Sequence, residues 1–138
     1  MKIRTGFVTN SSSTNFIIIS KDSPTESDLL NLLGFGTESP LTVHIQELIH
    51  EIVRDMQPAD AFFRESYYTS KHKTFEEFVK EHLHEKSLDR VQKARKDEKN
   101  IFCGTFRSED PKFGCFFCCD TILIENDSIY FDATECSW

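Results

Sequence analysis

The chain reads as one α+β domain over residues 1–138. Its expected core is a mostly antiparallel sheet, N-terminal strands plus a C-terminal three-strand meander, packed through one face on three or four helices. Three observations predict this. A short β-branched run, Phe16-Ile17-Ile18-Ile19, stands unbroken near the N-terminus. Helix-period patterns with start signals fill the middle of the chain, and from Asn100 onward the pattern changes to strand runs separated by turn residues.

Residues 2–8 read as a first short strand interrupted by Gly6. A hydroxyl- and amide-rich loop follows, and then the apolar run to Ser20, whose continuous character is that of a strand buried on both faces. Ser23-Pro24-Thr25-Glu26 is a helix entry, with Ser at N-cap, Pro at N1 and Glu at N3. Leu29, Leu30, Leu32 and Leu33 supply the buried side, and Gly34 is a natural C′ stop. Ser39-Pro40 repeats the entry signal for a helix to about Met56, with Leu41, Ile45, Leu48, Ile49, Ile52 and Met56 on one face. Gln57-Pro58 ends it, and residues 59–73 read as a short helix and a loop. Thr74-Phe75-Glu76-Glu77 is a capping box opening a helix with Phe75, Phe78, Val79 and Leu83 on one side. It continues through Val91 and Ala94 with a change of phase near Ser87. Strands are expected over 101–106, 113–124 and 128–133, with a hairpin turn at Glu125-Asn126-Asp127.

A chain of 138 residues can bury a real core, and thirteen Phe spread along it predict an aromatic-rich one. Charged residues at 28% and hydrophobic ones at 38% exclude wholesale disorder and a membrane span. Lys2 and Arg4 are followed by Thr-Gly-Phe-Val-Thr-Asn in place of the apolar segment of a secretory signal, so the expected compartment is the cytoplasm. The net charge is −7, with no Lys or Arg after Lys112, while Asp120, Glu125, Asp127, Asp132 and Glu135 lie in that last segment. This balance argues against nucleic acid as a partner. The basic cluster Arg90, Lys93, Arg95, Lys96 and Lys99 reads as complementing a helix C-terminus.

Five cysteines fall in the last 36 residues. Cys115-x-x-Cys118 has zinc-knuckle or redox spacing, and Cys103, Cys115, Cys118 and Cys136 form the candidate zinc set. The competing reading is buried, reduced cysteines, since Phe116-Phe117 suits a packed strand and no second Cys-x-x-Cys is present. Glu47-x-x-His50 and Glu81-x-x-His84 have di-iron spacing but fall off the apolar helix faces, whereas His82 lies on one. His82 with Cys115 or Cys119 has the residue types of a cysteine hydrolase without its spacing, and no phosphate loop or nucleophile elbow is present. The loop residues Asn10, Ser11, Ser12, Ser13, Thr14 and Asn15 are the candidate ligand cradle. They can equally satisfy their own backbone at a strand start. Phe63, Tyr67, Tyr68, Asp127 and Asp132 are the candidate partner contacts.

The opening block, Met-Lys-Ile-Arg-Thr-Gly-Phe-Val-Thr-Asn-Ser-Ser-Ser-Thr-Asn-Phe-Ile, resembles one that starts many uncharacterised small proteins of bacteria, archaea and their large phages. That block reads Gly-Phe-Val-Ser-Asn-Ser-Ser-Ser-Ser-Ser-Phe, and Thr9 and Thr14-Asn15 stand here in place of serines. The likeness covers about 20 residues and implies prokaryotic or phage origin but no activity. The leading expectation is a non-catalytic cytoplasmic protein that binds a protein partner, for a phage product a host factor such as a defence system. The alternatives are a small-ligand or nucleotide binder, or an enzyme, using the Ser-rich loop, and a structural zinc site among the cysteines.

Overall fold

The computed structural model describes residues 13–35, 42–65, 71–107 and 122–134. The central strand β1 (Ser13–Ser20) is followed by α1 (Glu26–Leu32), α2 (Thr42–Asp55), a two-residue strand β2 (Gln57–Pro58) and α3 (Ala59–Glu65). Then come α4 (Phe75–His82), α5 (Glu85–Lys96), β3 (Asn100–Arg107), β4 (Ile122–Glu125) and β5 (Ile129–Ala133). The fold is α+β, as the sequence predicts, and the described residues form five antiparallel-paired strands in the order β2-β3-β1-β5-β4.

Two expectations are corrected. The C-terminal strands do not form a meander, because β1 lies between β3 and β5, with Ile19 opposite Ile101 on one side and Tyr130 on the other. Helices also cover both faces. Side chains alternate across a strand, so Phe16 and Ile18 enter a core with Leu29, Leu30, Ile49 and Ile52 of α1 and α2. Ile17 and Ile19 enter a second core with Phe62, Phe78, Val79 and Val91 of α3, α4 and α5. A strand apolar at both parities needs a helical layer on each side. All four of these β1 side chains are buried, at roughly 1.5–3 kcal/mol of hydrophobic stabilisation each.

The helix ends show how local chemistry sets the layers. The first helix starts two residues later than Ser23-Pro24 suggests, at N-cap Thr25, whose Oγ1 accepts from Asp28 N (3.2 Å) while its own N–H donates to Asp28 Oδ2 (2.8 Å). It ends as expected at Gly34, φ +82°, with Gly34 N–H donating to Asn31 O and Phe35 N–H to Leu30 O, the Schellman pattern. The Ser39-Pro40 signal lies outside the described residues. Thr74 caps α4 through Glu77 N–H, but the Glu77 carboxylate reaches back to Lys73 N–H, one residue beyond the expected partner. The predicted break after α4 occurs at Leu83 and His84, upstream of Ser87, where the backbone becomes extended. Gln57-Pro58, expected only to end a helix, pairs with Cys103 and Phe102 as an edge strand, a position where the missing Pro N–H costs no ladder bond.

Candidate functional site

Among the described residues, three places hold chemistry-bearing side chains: a charged groove at one end of the sheet, a buried polar network beneath α5, and a histidine–glutamate cluster around α4.

The groove is built by three chain segments meeting where β1 ends, β5 begins and α5 stops. The β4–β5 turn is held by Asn126, whose Oδ1 accepts from Ser128 N–H and Ile129 N–H (2.8 Å each) while its N–H donates to Ile129 O (2.9 Å). Asn100 Nδ2 donates to Lys21 O (2.8 Å), tying the exit of β1 to the entry of β3. Two cavities, about 160 and 400 Å³, open here and share Lys99, Asp127, Ser128 and Ile129. The smaller carries Arg90 and Lys93 on its α5 wall, and the larger carries Lys21, Asp22 and Asp28. Arg90 Nη2 donates to Glu125 Oε1 (2.7 Å) and its guanidinium lies 5.8 Å from the centre of the Tyr130 ring. Asp127, a predicted partner contact, is exposed on this rim.

Asp132 belongs elsewhere, which corrects its assignment as a partner contact. It is fully buried, because the alternation of β5 turns it with Tyr130 toward α4 and α5. Its Oδ2 accepts from His84 N–H (3.0 Å) and from Ser87 Oγ, its Oδ1 accepts from Thr134 N–H (2.9 Å), and Ser87 Oγ also bonds Tyr130 Oη (2.7 Å). Burial raises the Tyr130 phenol above its ordinary value, opposed by the Ser87 hydrogen bond. The network is a structural lock between sheet and helix.

The predicted ligand cradle is likewise corrected where it is described. Ser13, Thr14 and Asn15 are the first residues of β1, not loop. Thr14 and Asn15 are fully buried, and Asn15 Oδ1 accepts from Thr105 Oγ1 of the neighbouring strand (2.7 Å). Asn10, Ser11 and Ser12 lie outside the described residues. The groove is at the other end of β1, roughly 23 Å from Ser13 at about 3.3 Å per residue. Phe63 is half-buried and packs edge-on against Phe75 (6.4 Å, 86°), so it belongs to the core margin rather than to a free contact surface. Tyr67 and Tyr68 lie outside the described residues.

Of the predicted zinc set, Cys103 is a buried core thiol in β3, and burial pushes its pKa well up, away from the thiolate that zinc requires. This corrects its assignment as a ligand. Cys115, Cys118 and Cys136 lie outside the described residues.

The cluster around α4 was not legible in the sequence. His72, in the loop before α4, donates or accepts through Nε2 at 2.8 Å from Glu81 Oε2, and His82 Nε2 lies 4.0 Å from Glu81 Oε1. The two imidazoles stand edge to face, 4.9 Å apart at 82°, and both rest against Phe78, at 5.7 and 5.3 Å. The hydrogen bond from His72 is the largest cause holding the Glu81 carboxyl below its ordinary value. The His72 side chain is 7% exposed, and its Nδ1 is buried without a hydrogen-bond partner, a cost of roughly 1–3 kcal/mol. His82 was expected on the apolar face of its helix, where it is found half-buried on Phe78.

No family model, curated protein or solved structure matches the chain. Among the described residues no helix is long and apolar enough to cross a membrane.

Proposed function

We propose that the protein is a small, non-catalytic cytoplasmic binding protein that holds a polar segment of a protein partner in the groove between the β4–β5 turn and the C-terminal end of α5. The observation that carries this reading is the pair of cavities meeting at Lys99 and the Asp127–Ser128–Ile129 turn, lined by charges of both signs. Small-molecule pockets are predominantly apolar with a few polar groups. This groove is open and lined by charges of both signs, which favours a partner offering both an acidic and a basic group over an enclosed metabolite. Charge complementarity of this kind fixes register and partner choice more than raw affinity. The N-terminal block supports a prokaryotic or phage source, and for a phage product the partner class we favour is a host factor such as a defence protein.

The test is affinity capture from prokaryotic extract with the native chain and with Lys99→Glu/Asp127→Lys. Both positions are exposed, so the fold is expected to survive. The native chain is expected to retain a partner that the charge-reversed chain loses by at least about tenfold. Equal retention by both chains, at equal thermal stability, would remove the groove from the interface.

A further inference from the structure

We infer that His72, Glu81 and His82 form a binding site for a divalent transition-metal ion of the zinc class. One donor atom from each of the three lies within 4.8 Å of the others. Two imidazoles and a carboxylate are the donor set of three-ligand zinc sites, which leave a fourth position for water or an incoming group. In a tetrahedral site with bonds of about 2.0–2.1 Å, donors sit about 3.3 Å apart. The 2.8 Å and 4.0 Å separations bracket that spacing. The Glu81 carboxylate is 68% exposed and has room to turn toward both imidazoles.

His72 is already held in place to ligate through Nε2. Its ring is held by the Phe78 contact and more than nine-tenths buried, and its Nδ1 has no partner while Nε2 meets Glu81. The elements also place the ligands well. Glu81 and His82 close the last turn of α4, and the loop before its N-cap returns His72 to the same end. A bound ion would fasten that loop to the helix. The site shares no residue with the groove.

Cobalt(II) titration of the metal-free full-length chain is the test, because cobalt reports its ligands by colour. The expected result is about one ion per chain with tetrahedral visible bands and no thiolate-to-cobalt charge-transfer band. Glu81→Gln should weaken binding at least about tenfold, and His72→Gln should do the same. Glu81 is exposed, so its variant keeps the fold, and unchanged circular dichroism without metal checks this. No binding would overturn the proposal. So would binding with a thiolate band, or binding that both substitutions leave intact, since each would move the metal to other residues.

Discussion

Gly104 lies opposite Phe16 in the β1–β3 pairing, and a Cβ built there would stand 2.4 Å from the Phe16 ring. The ring occupies the space that a side chain on β3 would take. Gly104→Ala is therefore expected to destabilise by about 1–3 kcal/mol in urea unfolding. Combining it with Phe16→Leu should recover part of that loss, whereas additive losses would contradict the contact. Asp132 is the second sensitive residue. Asp132→Ala leaves Ser87 Oγ and the His84 and Thr134 N–H groups without their acceptor, and a loss of about 3 kcal/mol is expected in the same assay. The sequence placed Asp132 on an acidic surface because its partners Ser87 and His84 are 45 and 48 residues away. The His72–Glu81 pairing was hidden for a related reason. It spans a loop return that no helical or strand period records.

At the scale of elements, helix ends were legible to within a few residues, and local competition decided the rest. Ser23-Pro24 and Thr25 both carry N-cap chemistry, and Thr25 prevails because Asp28 completes a reciprocal box with it. Thr25→Ala should cost about 1 kcal/mol. The hydrogen bonds from Thr25, backbone first, hold the Asp28 carboxyl below its ordinary value. A depressed folded-state pKa gives stability that is present above the unfolded value and lost as pH falls through the folded one. Native chain and Asp28→Asn should thus differ in stability at neutral pH and converge in acid, measured by thermal unfolding across that range. A difference that grows in acid would contradict the cap. At the end of α5, Glu98 adopts φ +58° and Lys99 N–H donates to Ala94 O, a left-handed cap without glycine. Glu98→Gly is expected to raise stability by up to about 1 kcal/mol.

For the whole molecule, the clearest signal in the sequence was the uninterrupted run Phe16-Ile17-Ile18-Ile19. It correctly indicates burial on both faces, which already requires helices on both sides of the sheet. What periodicity does not carry is strand order. The placement of β1 between β3 and β5 rests on pairings between residues about 80 to 115 positions apart. This central strand should contain the slowest-exchanging amides, with β4 and the α5 terminus exchanging faster, by native-state hydrogen exchange. The same arrangement puts the groove at the sheet end where β1 leaves and β5 begins, at the opposite end of β1 from Ser13, Thr14 and Asn15. The central claim, that this groove is where a partner is held, is tested most directly by site-specific photocrosslinking. A photoreactive side chain at Ser128 is compared with one at Gln46, an exposed position on α2. Adducts to a partner from Ser128 that are absent from Gln46, and lost with Lys99→Glu, are the predicted result; equal labelling from both positions, or labelling from Gln46 alone, would contradict it.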